Sequence, residues 1–444
     1  MMRRAMRWLG VLALGLFLVL GGLFAVSRWM GPTAEQRAAL ALLAEDDPQP
    51  AGRNAFAALW LLGYDVPGDE IDAVAAEDVE NYRKALVSAQ SAQVLSNQMS
   101  VAEGRFARHR AWPSDLKMCG SEDASCLATV RERRDDYARQ VAHDRALVDR
   151  VRGLAAFDHY RNPMDGHIFP PLPPFKLFFI AHTASALDFV EGHTDAALEA
   201  VCRDVDTWRR LSANSDTLIF ASIGGAMVTT GSHLFSDMLA ELPLDHPLPS
   251  ICATAFDPAR VAPDLCSAMQ GEARIAQAHL DRYGDEAYSF LRPVLLDLDA
   301  TRARMAPVYA HACTDVVRRA LIDDTPIAPQ PAPGSPWRLE CFSNVMGCTL
   351  SRIAEPAYDA YVGRMQDVQA VLRTVDAVVR LRGQAAASGQ TMAQVLREGG
   401  LRPAVETWRM PVFDEAAGEI STSLRGHGRR TEWRIPLPAS RLGD

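Results

Sequence analysis

The sequence predicts a mainly α fold made of an N-terminal transmembrane helix, an irregular helical-hairpin periplasmic domain and a small C-terminal β-hairpin element. Three observations lead to this prediction. Residues 8–27 carry no charge. Apolar residues then recur at intervals of three and four, the spacing of one helix face, over most of the chain. Alternation of apolar and polar residues, the pattern of a strand, is concentrated after residue 405.

The composition is that of a folded protein. The chain has 444 residues, of which 48% are hydrophobic and 23% are charged, and these fractions exclude a wholly disordered chain, a collagen or a coiled-coil rod. The formal net charge is −9, and it becomes −13 when the four arginines of the first 30 residues are set aside. A surface this acidic repels phosphate backbones, so we expect no nucleic-acid partner.

The uncharged run, residues 8–27, predicts a membrane anchor. A helix of this length spans about 30 Å, the thickness of the hydrocarbon core of a bilayer. Arg3, Arg4 and Arg7 precede the run, whereas Arg28 alone follows it closely. Because positive charge is retained on the cytoplasmic side, we expect a cytoplasmic N-terminus, a single pass through the inner membrane and a periplasmic main domain.

A cleaved signal peptide is the alternative interpretation of the same run. Ala25, Val26 and Ser27 form a small-x-small sequence that a signal peptidase could accept. Two features favour a retained anchor instead. The run is longer than the usual apolar region of a signal peptide, and Arg28 directly follows the cleavage position.

The chain has eight cysteines, an even number that suggests disulfides in an exported domain. Two short loops, Cys119 to Cys126 and Cys341 to Cys348, each enclose six residues that include turn formers. We predict a local disulfide in each loop. The spacing is too wide for a zinc knuckle, which uses about two to four intervening residues, so no zinc site is predicted there.

The other four cysteines are less constrained by the sequence. Cys252 and Cys266 flank a proline-containing stretch and could close a third loop. Cys202 lies within an apolar helical pattern, and this pattern fits a buried free thiol at least as well as it fits a disulfide. The spacing suggests no partner for Cys313.

Helical periodicity continues through the body of the chain and is interrupted by turn-forming or proline-rich segments. The predicted helices are residues 33–44, 53–64, 75–110, 124–156, 175–191, 194–212, 214–242, 257–283, 286–323, 355–387 and 391–398. Gly224 and Gly225 lie within one of them and could kink it.

These patterns divide the chain into four parts. Residues 1–30 form the cytoplasmic tip and the anchor, and residues 31–324 form the helical periplasmic domain. Residues 325–336 contain five prolines and predict a stiff, exposed linker. Residues 337–444 form a C-terminal helical segment with a β tail, in which TWRMPVF, GEISTSL and TEWRIPL predict two or three strands.

One hairpin and the overall layout resemble known groups of proteins. The sequence ALDFVEGHTDAALEAV, within residues 175–212, resembles the centre of a tetratricopeptide repeat, because a small-residue helix ends at Gly192 and the next helix packs back on it. The order of anchor, helical body and β tail resembles uncharacterised membrane-anchored helical envelope proteins of Gram-negative bacteria. That resemblance implies a place in the envelope and supplies no catalytic residues.

Histidine provides the best candidate chemistry. Five of the eleven histidines lie between residues 143 and 193. If the loop with His159, Asp165 and His167 folded against the helix with His182, imidazole and carboxylate groups could hold zinc or act as acid and base. The spacings match no metal motif, so separate loop and surface histidines are the competing interpretation.

We therefore expect a membrane-anchored periplasmic protein, attached through residues 8–27, that binds or scaffolds an envelope protein or a peptide. The sequence has no nucleophile motif, phosphate-binding loop or dinucleotide fingerprint, so we assign no catalytic residue and no cofactor. The alternative is a periplasmic hydrolase, with or without a metal ion, that uses the histidine-rich stretch 143–193.

Overall fold

A computed structural model shows a mainly helical protein that ends in a small antiparallel sheet. Most of the predicted linker, residues 328–336, lies outside the part of the chain that the structure describes. The described residues are 2–45, 50–88, 100–120, 126–164, 167, 170–286, 292–327, 338–354, 358–399, 409–414, 416–426 and 431–437.

The helices follow the predicted order, with several differences in length. The α-helices are α1 (Met2–Trp29), α2 (Ala34–Ala44), α3 (Phe56–Trp60), α4 (Ile71–Ser88), α5 (Cys126–Glu132), α6 (Arg134–His143), α7 (Arg145–Arg152), α8 (Ile180–Val190), α9 (Thr194–Ala213), α10 (Leu218–Ala240), α11 (Ser250–Ala255), α12 (Cys266–Glu286), α13 (Arg292–Leu295), α14 (Leu298–Ala310), α15 (Asp315–Asp323), α16 (Val345–Ala354), α17 (Asp359–Ser388) and α18 (Met392–Arg397). Short 3-10 helices cover Val101–Gly104, Gly153–Ala156, Phe175–Phe179, His311–Cys313 and Leu339–Cys341.

The predicted helices 75–110 and 124–156 are too long. Beyond residue 100 the chain folds back on α4, where the carboxylate of Asp78 accepts a hydrogen bond from the backbone N–H of Val101 at 2.8 Å. The second helix is divided into α5, α6 and α7 at Arg133 and Asp144, whose backbone angles leave the helical region. The helical spacing of apolar residues continues across these interruptions, so the periodicity of the sequence did not reveal where the helices end.

Two helices among the described residues are long and apolar enough to cross a membrane, and their surroundings are opposite. The segment Met6–Trp29 of α1 has a mean hydropathy of 2.6, and none of its most apolar window is buried. The corresponding window of α10, with a mean hydropathy of 1.4, is 67% buried. α10 is therefore a core helix of the folded body, whereas the protein leaves the apolar surface of α1 uncovered.

The main core surrounds the hairpin of α8 and α9, on which α10 packs. The turn between α8 and α9 contains Gly192 with a φ of +87°, a conformation that favours glycine. Trp208 of α9 is fully buried, with the rings of Phe178 and Phe220 centred 4.9 and 6.0 Å away. A smaller core lies between α12, α14 and α15. The helical hairpin predicted at residues 175–212 thus occupies the centre of the protein.

The C-terminal sheet has three strands, one in each of the three segments whose pattern predicts a strand. Its strands are β1 (Val412–Asp414), β2 (Glu419–Ser423) and β3 (Glu432–Pro436), in the order β1-β2-β3. Ile420 pairs with Phe413 on one side and with Ile435 on the other. β2 packs on α17 and β3 packs on α10, so the segment after residue 337 shares the main core with the segments before the linker.

All eight cysteines lie in pairs at disulfide distance. The pairs are Cys119–Cys126, Cys202–Cys252, Cys266–Cys313 and Cys341–Cys348. The two short loops are paired as their spacing predicts. Of the possibilities that the sequence left open, neither a Cys252–Cys266 bond nor a free thiol at Cys202 is observed. The reason is that α11 packs Cys252 against α9 in the main core, whereas Cys266 begins α12 beside the smaller core, where it meets Cys313.

Candidate functional site

His182 and Asp204 form a pair inside the main core. Nε2 of the imidazole lies 2.8 Å from Oδ2 of the carboxylate, with side-chain exposures of 0% and 7%. Gly231 of α10 closes the site from the other side, since a Cβ on this residue would lie 3.1 Å from Nε2. Because the imidazole has no exposed surface, no substrate reaches it in this structure. The pair serves the packing of α8 and α9.

The other predicted site residues lie in different surroundings. His159 is buried, and its pKa is lowered first by burial and then by the positive charge of Arg161. His167 lies edge-on to His279 of α12, with ring centroids 6.1 Å apart. Asp165 lies outside the described residues. Within the described part of the chain, no group of three or more histidine, cysteine, aspartate or glutamate side chains is placed to hold a metal ion.

A cleft of about 230 Å³ lies between α10, α17 and the C-terminal sheet, and we call it the apolar cleft. Met365 and Val371 of α17 and Trp433 of β3 line it and are more than nine-tenths buried. Tyr361 of α17 and Leu424, which follows β2, also line it and are partly exposed. The cleft therefore has an apolar, partly aromatic interior that opens at the surface.

The wall that α10 contributes consists of small residues. Ala221, Gly225 and Ala226 face the cleft. A Cβ on Gly225 would lie 3.0 Å from Cγ2 of Val368, so this glycine permits α10 to pack closely on α17. α10 remains a single helix from Leu218 to Ala240, and the glycine pair that could have kinked it serves close packing instead.

Arg364 is an exposed cation in the lining of the apolar cleft. Its guanidinium carbon lies 5.0 Å from the ring centroid of Tyr361, within the range of a cation–π contact. In the part of the chain that the structure describes, Arg364 has no carboxylate partner. An anionic group that enters the cleft would therefore find an unpaired guanidinium held by an aromatic ring.

A buried charge cluster centred on Asp324 adjoins the apolar cleft. Arg409 donates to the two carboxylate oxygens of Asp324 at 2.6 and 2.9 Å, and Arg373 and Arg425 contact the same carboxylate at 3.3 and 3.0 Å. Arg409 also donates at 2.5 Å to Asp367, which lines the cleft. Three guanidinium groups thus meet two carboxylates. Among the described residues, the cluster therefore has more positive than negative groups, and Asp367, which accepts a hydrogen bond from Arg409, does not pair with Arg364.

Two carboxyl groups with raised pKa values flank the start of α10. Burial raises the pKa of Asp216 to about 6, although the backbone N–H of Asn162, which donates to it at 3.0 Å, opposes part of the shift. Burial also raises the pKa of Glu272, which accepts a hydrogen bond from the backbone N–H of Leu218 at 3.2 Å. Each carboxyl group therefore accepts a hydrogen bond from a backbone N–H. The N–H that Glu272 accepts from is one that the N-terminus of a helix leaves without a partner inside the helix.

No protein-family model, curated protein or solved structure matches this chain. The chemistry of the apolar cleft and of the N-terminal helix is therefore the evidence from which a function can be argued.

Sequence reasoning did not identify the residues of the apolar cleft. Tyr361 and Arg364 lie in a predicted helix, and Trp433 lies in a predicted strand. Nothing in the neighbouring sequence distinguishes these three residues from other helix and strand residues. The one local signal is the spacing of Tyr361 and Arg364, which places an aromatic ring and a cation on the same helix face. The cleft itself arises only when α17, α10 and β3 pack together.

Proposed function

We propose that the protein is a membrane-anchored, non-enzymatic binding protein of the cell envelope, and that its apolar cleft holds one apolar side chain of an acidic peptide or protein segment. The observation that carries this proposal is the combination of an apolar cleft with Arg364 in its lining, a cation that has no carboxylate partner among the described residues.

The size of the cleft supports a side chain as its occupant. A cavity of roughly 150 Å³ accommodates a benzene molecule, whereas sites for drug-sized ligands and cofactors occupy about 300–1,000 Å³. The volume of about 230 Å³ lies between these values and suits one large aromatic or branched side chain. A site of this size fits the recognition of a short segment better than the enclosure of a whole cofactor.

The residue types support a protein or peptide partner. Tryptophan, tyrosine and arginine dominate the binding energy of protein interfaces, and the cleft brings together Trp433, Tyr361 and Arg364. The charge cluster around Asp324 adds positive potential in a chain whose formal net charge is −9. A positive potential beside the cleft, in a chain that is negative as a whole, favours a partner with acidic residues beside its apolar side chain.

The contacts of α1 support a retained anchor with a single pass. Ser27 is buried against Ser343, with Oγ atoms 2.9 Å apart, and Arg28 forms an ion pair with Asp297 at 3.1 Å. Cleavage after Ser27 would remove a residue that the folded body holds. The disulfides suit an oxidising compartment such as the periplasm. A reporter that is active only outside the cytoplasm, fused after Asp444, should be active; activity of a cytoplasmic reporter there contradicts the topology.

Binding can be tested with synthetic peptides and the full-length protein in detergent or nanodiscs. The probe is a fluorescent pentapeptide with a central phenylalanine flanked by glutamates. Its controls are the same peptide with flanking lysines and a glutamate peptide with a central alanine. Fluorescence anisotropy should show that each control binds about tenfold more weakly, because each lacks one favourable contact worth about 1.4 kcal/mol.

Two variants connect the result with the cleft. Ala226→Leu fills the cleft and should abolish the preference for phenylalanine over alanine. Arg364→Gln keeps the length of the side chain without its charge and should abolish the preference for glutamate over lysine. Equal binding of all three peptides to the unmodified protein, or preferences that both variants retain, would show that the cleft is not the binding site.

A further inference from the structure

An exposed apolar patch surrounds the end of α1, and we call it the anchor face. Trp29 is 93% exposed, and Phe342 and Val345, on either side of Ser343 in the Cys341–Cys348 loop, are 41% and 49% exposed. Leu339, in the 3-10 helix that contacts α1, is also exposed. Large apolar side chains that are grouped in this way on a surface indicate a contact with a protein or a lipid.

The anchor face is fixed in position relative to α1. The backbone N–H of Ser343 donates to Oγ of Ser27 at 3.0 Å, and the Oγ atoms of the two serines lie 2.9 Å apart. Arg28, the next residue of α1, pairs with Asp297 at the start of α14. The serine contact therefore holds the loop, and the ion pair holds the start of α14, against the last turn of the apolar helix.

These contacts determine the depth of the loop if α1 spans a bilayer. Ser27 is the last residue of the uncharged run, which extends about 30 Å as a helix and so ends at the boundary of the hydrocarbon core. Ser343 touches Ser27, and its neighbour Phe342 lies one Cα spacing of about 3.8 Å away. Phe342 is thus at the level where aromatic side chains favour the membrane interface.

The charged residues of this region are compatible with a membrane surface. Glu340 pairs with Arg304 at 2.5 Å, and the carboxylate of Asp297 is neutralised by Arg28. These acids therefore present little net negative charge to lipid headgroups, although the chain as a whole is acidic. The bond between Cys341 and Cys348 closes the loop that carries Phe342 and Val345.

We propose that the anchor face lies in the interfacial layer of the same membrane that α1 crosses, so that the protein contacts lipid through the Cys341–Cys348 loop as well as through its anchor. This inference rests on the proposed anchoring of α1. The partner is the lipid bilayer, because the face is continuous with the end of the apolar helix. The loop then restricts the tilt of the folded body and fixes how the apolar cleft is presented to other envelope proteins.

Photo-crosslinking in the full-length protein tests this proposal. The photoreactive residue p-benzoylphenylalanine replaces, one at a time, Phe342, Val345, Leu16 in the middle of α1, and Val87 on α4. The proteins are reconstituted in liposomes of phosphatidylethanolamine and phosphatidylglycerol, and covalent adducts are identified by mass spectrometry. Val87 is the control, since it is a valine more exposed than Val345 and lies on a helix that packs against α3.

We expect lipid adducts at Leu16, Phe342 and Val345 and none at Val87. Adducts at Leu16 without adducts at Phe342 and Val345 overturn the proposal and leave the anchor intact. The absence of adducts at Leu16 overturns the anchoring itself, which separates the two failures. Crosslinks from Phe342 to a second copy of the chain or to another protein, in place of lipid, also overturn the proposal that the anchor face contacts the bilayer. Non-reducing peptide mapping verifies that each variant retains the Cys341–Cys348 bond. If the variant at Phe342 or Val345 does not fold, the photoreactive residue is placed at Leu339 instead.

Discussion

His182–Asp204, in the α8–α9 hairpin, and the Asp324 cluster, beneath the C-terminal sheet, both place a carboxylate in the interior, but they compensate its charge in different ways. Asp204 faces a single imidazole at 2.8 Å, without the alignment of a hydrogen bond. Asp324 accepts hydrogen bonds from Arg409 and Arg425 and also pairs with Arg373.

The difference shows which part of the fold depends on charge. Around His182 the apolar packing of α8, α9 and α10 is extensive, and the polar pair is an addition to it. The sheet is joined to α15 and α17 by charged groups as well as by its core residues, since Arg409 connects Asp324, Asp367 and the carbonyl oxygens of Gln366 and Ser423. We therefore expect the C-terminal attachment to be the more sensitive of the two to the loss of one charge.

The largest expected effect is that of Asp324→Asn. Asparagine tolerates the left-handed backbone conformation at this position, where φ is +53°, so the substitution removes charge without backbone strain. It leaves three arginines beside one carboxylate, and loss of a partner from such a buried cluster costs about 3–5 kcal/mol. Urea-induced unfolding of the full-length protein should show this loss. Asp323→Asn, an exposed neighbour, is the matched control, and equal midpoints for the two variants would contradict the prediction.

A pH-dependent effect of intermediate size is expected at Asp216. Its pKa is about 6 in the folded protein and close to 3.8 in the unfolded chain, so folding favours the protonated form. The stability that it contributes is complete below about pH 4 and is lost as the pH rises through 6. Asp216→Asn should therefore stabilise the protein at pH 7.5 by about 2 kcal/mol and leave it nearly unchanged at pH 4.

Thermal unfolding of both proteins across this pH range measures the difference. Asp237→Asn, on α10, serves as the control for a general effect of removing one negative charge. If the variant and the parent protein have parallel stability profiles between pH 4 and pH 7.5, burial does not raise the pKa of Asp216 as the structure indicates.

The smallest effect is expected for Asp204→Asn. The pair makes no aligned hydrogen bond that the amide would lose, and removal of the charge also removes its desolvation cost, so the expected change is about 1 kcal/mol. The double variant His182→Leu/Asp204→Leu should be nearly neutral if packing dominates this region. If Asp204→Asn lowered the free energy of unfolding as much as Asp324→Asn does in the same urea titration, the proposed contrast between the two regions would be wrong.

The features that could be predicted from the sequence are local ones. Residues 8–27 predicted an apolar helix, and the spacing of Cys119 with Cys126 predicted a short disulfide loop, because each depends on neighbouring residues alone. The Cys202–Cys252 bond joins residues 50 positions apart, and the Asp324–Arg409 contact joins residues 85 positions apart. Nothing in the intervening sequence specifies which helix faces meet, so periodicity could not indicate either contact.

The candidate site shows the same limit. The histidines between residues 143 and 193 are close in sequence, but proximity along the chain does not determine which way a side chain faces: His182 points into the core, whereas His193 is exposed at the start of α9. Conversely, Tyr361 and Trp433 are 72 positions apart and line one cleft. The apolar cleft is a product of tertiary packing, which a single sequence does not display.

The four disulfides share one topological property. Each cysteine is bonded to the next cysteine along the chain, so no disulfide loop overlaps another. If the part of the chain that follows α1 is exported in the order of its synthesis, both members of one pair emerge before the first member of the next. An oxidant that joins each thiol to the next one to emerge therefore forms the complete set without reshuffling. Among roughly a hundred pairings open to eight cysteines, the order of emergence would then by itself select the one that is present in the fold.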